Sequence, residues 1–72
     1  MTEIDLRGLK CPLPVLRTRK ALRTLPSGTA LLVHCTDPLA ELDIPHLVRE
    51  DGHQLERQTH DDAVFSFLIR KG

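Results

Sequence analysis

Periodicity along the chain predicts an α/β (α+β) two-layer sandwich of order βαβαββ, a four-stranded mixed sheet with two helices on one face. Three observations carry that reading. Alternating or β-branched runs at Glu3–Leu6, Thr29–Cys35 and Ala63–Arg70 have strand period. Between them, Pro12 to about Leu25 and the stretch around Ile44–Val48 repeat apolar residues at helical spacing. The 72 residues form one domain, and with only ~60% of the unfolded surface buried there is no room for a second active-site domain.

Taken in order, Ile4 and Leu6 share one face of the first strand, and Gly8 ends it. In the first helix Val15, Thr18, Ala21, Leu22 and Leu25 project onto one arc, while Arg17, Arg19, Lys20 and Arg23 occupy the opposite one. One face packs and the other is basic. Pro26-Ser27-Gly28 stops the helix. A strand, a helix and a second strand most simply make a right-handed parallel unit, which sets Cys11 and Cys35 at the carboxyl edge of the sheet. Leu31, Val33 and Cys35 are the more apolar set and are expected to face the helices; Leu32 and His34 face away.

Thr36-Asp37-Pro38 is a turn that caps a helical turn at Leu39–Leu42. Asp43-Ile44-Pro45 is then expected to restart a short helix, because proline is tolerated in a first turn and disrupts an interior. Ile44, Leu47 and Val48 form its packing stripe, and Gly52 ends it. His53–Thr59 has weak strand character and His60-Asp61-Asp62 is a polar turn. In the last strand Phe65, Phe67 and Ile69 lie on one side, and the final two strands form a hairpin.

The chemistry is concentrated at Cys11-Pro12-Leu13-Pro14. Pro12 suits a first helical position and biases the residue before it towards extended backbone, so Cys11 is predicted as the N-cap. Pro14 falls in the same first turn, where its missing N–H breaks no helical bond. The amides of Leu13 and Val15 are then expected to point at the sulfur with the positive end of the helix dipole. Such a setting, with Lys10 and Arg7 nearby, lowers a cysteine pKa from ~8.5 into the range of roughly 3.5 to 7.5. Cys11 is the predicted reactive thiol; the alternative is an inert, partly buried one. For Cys35 the strand alternation favours a buried structural cysteine over a resolving thiol.

Composition excludes several classes. The formal net charge is zero, which points to neither nucleic acid nor membrane. No run reaches transmembrane length, and Met-Thr-Glu-Ile-Asp lacks the basic and apolar regions of a secretion signal, so a cytoplasmic protein is expected. Two distant cysteines without a Cys-x-x-Cys pair do not suggest a disulfide scaffold. With no Trp or Tyr and two Phe, base stacking has little to work with, and no direct nucleic-acid contact is expected. No His or Cys pair has structural-zinc spacing, so no metal is expected, and there is no phosphate-binding glycine loop. His34 is the only plausible base near Cys11, and the strand alternation turns it away.

Asp5-Leu6-Arg7-Gly8-Leu9-Lys10-Cys11-Pro12-Leu13-Pro14, with Thr36-Asp37-Pro38, Asp43-Ile44-Pro45, Gly52-His53 and Phe67-Leu68-Ile69-Arg70-Lys71, resembles the TusA (SirA-like) sulfur-carrier family over nearly the whole chain. The resemblance implies that Cys11 accepts sulfane sulfur as a persulfide from a cysteine desulfurase or rhodanese and passes it to an acceptor protein. It implies no cofactor beyond that covalent sulfur, and a relay protein more than a turnover enzyme. Family roles include 2-thiouridine synthesis in tRNA, sulfur oxidation and molybdenum-cofactor supply. The chain departs at Leu13, where tRNA-relay members carry an acidic residue; this leaves the chemistry untouched and bears on the delivery partner. By proximity to Cys11, Arg7, Lys10, Arg17 and Arg19 are the candidate docking residues. The alternative class is a non-catalytic regulatory module with Cys11 as a redox-sensing thiol.

Overall fold

The computed structural model describes residues 2–72. Its elements are β1 (Thr2–Leu6), α1 (Leu13–Thr24), β2 (Ala30–Cys35), α2 (Ala40–Glu50), β3 (Gln54–Asp61) and β4 (Val64–Arg70), in the predicted βαβαββ order. Strand order in the sheet is β1-β2-β4-β3. β1 and β2 are parallel, with Leu6 opposite Cys35, and the other pairings are antiparallel. Because both helices follow parallel strands, α1 and α2 both begin at the carboxyl edge of β1 and β2, the edge that carries Cys11.

The helix-facing side of the sheet is the core. Leu31, Val33, Cys35, Phe67 and Ile69 are fully buried there, against Leu22 of α1 and Ile44, Leu47 and Val48 of α2. Thr18 is buried among them, and its hydroxyl has no hydrogen-bond partner among the described residues. Removing a buried unpartnered hydroxyl while keeping its shape relieves a desolvation cost, so Thr18→Val is expected to stabilise the fold by about 1 kcal/mol. Chemical denaturation checks this; a loss of stability would mean that the hydroxyl is partnered in solution.

α2 corrects the sequence reading. It runs unbroken from Ala40 to Glu50 with Pro45 inside, where a restart at Asp43 is expected from sequence. Pro45 has no N–H for the Glu41 carbonyl, and that carbonyl accepts from Gln58 Nε2 at 3.4 Å instead. Burial of Ile44, Leu47 and Val48 on the sheet outweighs the lost bond. The helix ends as a Schellman motif: His53 N–H donates to the Val48 carbonyl and Gly52 N–H to that of Arg49. The motif needs the left-handed backbone that Gly52 supplies, at φ 79°.

β3 also runs further than the sequence suggests, through His60 and Asp61, and the hairpin turn contracts to Asp62-Ala63. His60 is carried into the strand opposite Phe65, on which its ring stacks at 4.2 Å between centroids. Asp62 takes φ 58°, a conformation that aspartate tolerates better than most residues. β3 is one of the sheet's two edge strands, interrupted between Leu55 and Arg57 by an irregularity of the kind that discourages edge-to-edge pairing. Glu56, the residue left over there, holds Arg70 of β4 through two bonds of 2.9 and 3.0 Å.

Candidate functional site

Cys11 is exposed, in the loop between β1 and α1, one step further from the helix than its sequence suggests. Pro12 is the N-cap, with φ −95° and ψ 11°, and its carbonyl accepts the first helical bond, from Leu16 N–H at 3.1 Å. Leu13 and Pro14 are therefore the first two helical residues. Leu13 N–H, expected to face the sulfur, donates to the Lys10 carbonyl at 2.9 Å instead. A turn closed over Cys11-Pro12 thus shifts the helix start by one residue. The Cys11–Pro12 peptide bond is cis.

The loop is held by the segment that follows β2. Thr36 Oγ1 accepts Gly8 N–H at 2.8 Å, and Asp37 Oδ2 accepts Cys11 N–H at 2.6 Å. The other oxygen of Asp37 accepts Leu39 N–H at 3.1 Å, so one carboxylate ties the cysteine backbone to the start of α2. Hydrogen bonds to a charged acceptor are the stronger kind, about 1.5–3 kcal/mol each. The turn that reads from sequence only as a helix cap also positions the thiol.

Cys11 Sγ donates to Asp43 Oδ2, in the first turn of α2, at 3.7 Å. Desolvation, the Asp43 charge and hydrogen bond, and the Asp37 charge together raise the Cys11 pKa. This corrects the expectation of a depressed thiol pKa: the carboxylates that surround the sulfur are contributed from far along the chain.

Arg7, Lys10, Arg17 and Arg19 do not converge on one docking face. Arg7 is bound through Nε and Nη2 to Asp5, both at 2.9 Å, which holds the Asp5 carboxyl down at about 2. Arg17 lies with Lys20 beside Ile4 and Leu6, on the β1 flank of α1. Arg19 is on the α2 flank, paired with Asp51 at 2.9 Å. Lys10 is exposed beside Cys11. Only Arg19 shares the groove of about 360 Å³ between the helices that Cys11, Val15, Asp43, His46 and Glu50 also line.

Sequence reasoning missed the apolar surface at this end. Leu13 and Leu16 of α1 and Leu39 and Leu42 at the start of α2 are between 40% and 71% exposed. Large apolar residues left in water at the starts of two neighbouring helices suit protein contact. The signal was present: each falls outside the stripe that its own helix buries.

Cys35 is fully buried beneath the sheet edge, and both cysteines are free. Burial pushes its thiol up to about 11, against an ordinary 9.0. The unfolded chain therefore loses this proton first, and stability present below pH 9 is lost as pH rises through 11. At about 1.4 kcal/mol per unit the loss is about 3 kcal/mol. Denaturant titrations at pH 8 and 11 on wild type and Cys35→Ala are expected to show that increment in wild type alone; an equal fall in both would assign it elsewhere. His34 is on the far side of the sheet, bonded to Ser66 Oγ at 2.7 Å and Glu3 Oε2 at 2.6 Å, away from Cys11. Among the described residues no group of three or more His, Cys, Asp or Glu is placed to hold a metal, and no helix is long and apolar enough to cross a membrane.

An exposed thiol on a short loop, tied down by backbone bonds and set in an open groove at two helix starts, defines a thiol-presenting α/β domain. Its fold matches the crystal structure of a SirA-like protein from Desulfitobacterium hafniense, with a TM-score of 0.86 and 30% identity, covering 100% of this chain and 99% of that one. The family model described as sulfurtransferase TusA matches residues 2–71, and the chain belongs to the TusA family. Over 69 residues it is 42% identical to YrkI of Bacillus subtilis (strain 168), described as a candidate sulfur carrier protein, covering 96% of this chain and 92% of that one. It is 39% identical over 69 residues to the sulfur carrier protein TusA of Allochromatium vinosum, covering 96% and 91%. The sulfur-carrier reading of the sequence stands at the level of the family.

Proposed function

We propose that Cys11 is the sulfur-bearing residue: it takes sulfane sulfur from a persulfide donor protein, a cysteine desulfurase or rhodanese, and hands it to an acceptor cysteine on another protein. The observation that carries this is the exposed Cys11 sulfur on its anchored loop, in an open groove between the helices, with exposed leucines at the starts of both helices. The thiol, losing its proton, attacks the outer sulfur of a donor R–S–SH. The S–S bond breaks, the electron pair leaves on R–S⁻, and that thiolate is protonated. Cys11–SH and R–SSH become Cys11–SSH and R–SH, with no oxidant or reductant consumed. Delivery is the same exchange in reverse, with an acceptor thiolate attacking the outer sulfur on Cys11. The covalent sulfur is cargo, no separate cofactor is invoked, and the exchange suits a reducing cytoplasm.

Leu13, Leu16, Leu39 and Leu42 supply the apolar contact area for successive partners, with Lys10 beside the thiol. Routes such as tRNA thiolation, sulfur oxidation or molybdenum-cofactor synthesis differ only in which acceptor docks there. Incubation with a cysteine desulfurase and ³⁵S-cysteine, followed by non-reducing electrophoresis, tests the reading. A labelled 8.1 kDa band that dithiothreitol discharges is expected. Sulfenic acid or a mixed disulfide on Cys11, with no label from any donor, would favour the redox-sensing module instead.

A further inference from the structure

Asp43 stands apart from the other charges near Cys11. In the groove between the helices, Arg19 is paired with Asp51 and His46 with Glu50 at 2.7 Å. Asp37 is engaged by two backbone N–H groups. On the cysteine's own loop Arg7 is bound to Asp5, and Lys10 is exposed. Among the described residues the Asp43 carboxylate has no cationic partner; its one hydrogen bond is from the Cys11 thiol at 3.7 Å. It is half-buried, on the wall of a groove that opens to solvent beside the sulfur.

We propose that Asp43 is a positioning residue that holds the Cys11 thiol as S–H in the free protein, and that a cationic group on the sulfur donor or acceptor engages Asp43 and thereby releases the thiolate. The inference rests on the sulfur-carrier reading and deepens it by naming the chemistry of the partner: a lysine, arginine or other cation beside its persulfide or acceptor cysteine. A negative charge beside a thiol disfavours the thiolate, and a cation drawn to that charge reverses the effect. The resting carrier is thereby kept from alkylation and oxidation, which proceed through the thiolate. Its sulfur becomes nucleophilic where a matching partner docks. The proton passes from Sγ to solvent or to the leaving thiolate, so the exchange stays balanced.

Two measurements test this. The first is the iodoacetamide alkylation rate of Cys11 as a function of pH in wild type and Asp43→Asn, with circular dichroism as a check on folding. The midpoint is expected to fall in the variant, raising the rate at pH 7 roughly three- to tenfold. An unchanged or raised midpoint would overturn it. The second needs no variant: sulfur loading from cysteamine persulfide, which carries an ammonium, against 3-mercaptopropionate persulfide, which carries a carboxylate. Wild type is expected to load faster from the cationic donor, with the preference lost in Asp43→Asn or in 1 M salt, where screening acts over about 3 Å. Equal loading from both donors would overturn the role of the cation. If neither donor nor a desulfurase loads any variant, the carrier reading itself fails, while the alkylation midpoint still decides whether Asp43 holds the thiol.

Discussion

Cys11→Ser is expected to abolish sulfur loading, at least ~100-fold below wild type, without disturbing the fold. A serine hydroxyl is not ionised at neutral pH and does not attack a persulfide, so the variant has no nucleophile at the site. The scaffold is indifferent to the change. The Cys11 side chain is exposed, and the bond that anchors the residue to Asp37 comes from its backbone N–H. Cys35→Ala is the matched control. Its sulfur is fully buried beneath the sheet edge, so the variant is expected to load as wild type does, at some cost in stability. Loading in Cys11→Ser that disappears in Cys35→Ala would exchange the roles of the two cysteines.

Phe67→Ala is expected to have the largest effect on the fold itself. Phe67 is the largest fully buried side chain, at the centre of β4, paired across the sheet with Val33 and Gln58. Its loss costs about 3–5 kcal/mol in transfer and cavity terms. A domain of this size has about 4–11 kcal/mol in total, so the variant keeps a small margin at best. The expected fall in Tm is at least ~15 °C, read from thermal melts at 222 nm. Phe65, 7% exposed and stacked on His60 at the hairpin end, is expected to cost less when truncated. Equal losses at the two positions would mean that packing is uniform along β4.

The two phenylalanines also show why the fold was legible in the sequence. Alternation groups Leu31, Val33 and Cys35 in β2 and Phe65, Phe67 and Ile69 in β4, and both sets are buried, because strand period and burial are the same fact seen locally and globally. Local rules failed where tertiary packing offset a local loss. Pro45 argued for a helix break, yet the apolar stripe that spans it, with Gln58 taking the freed Glu41 carbonyl, keeps α2 whole. His60 looked like a turn residue until pairing with Phe65 drew it into β3.

The site divides along the same line. Cys11 and the adjoining helix start could be read from neighbouring residues, to within one position. The electrostatics could not, because Asp37 and Asp43 are 26 and 32 residues away in sequence and reach the sulfur only through the parallel arrangement of β1 and β2. A helix N-terminus and nearby basic residues argue for a thiolate; desolvation and the carboxylates brought in by the fold raise the Cys11 pKa instead. The basic arc on α1 is too wide to make one docking face. Two residues apart on a helix, Arg17 and Arg19 are about 160° apart and flank the packed stripe, so Arg17 lies towards β1 and Arg19 towards α2.

The most direct test is the mass of the peptide that carries Cys11. The reduced protein is incubated with a cysteine desulfurase and cysteine, then alkylated and digested, with and without dithiothreitol. One added sulfur atom is expected on the Cys11 peptide, removed by reductant and absent from the Cys35 peptide. A Cys11 peptide that is readily alkylated yet gains no sulfur from desulfurase or rhodanese donors would contradict it.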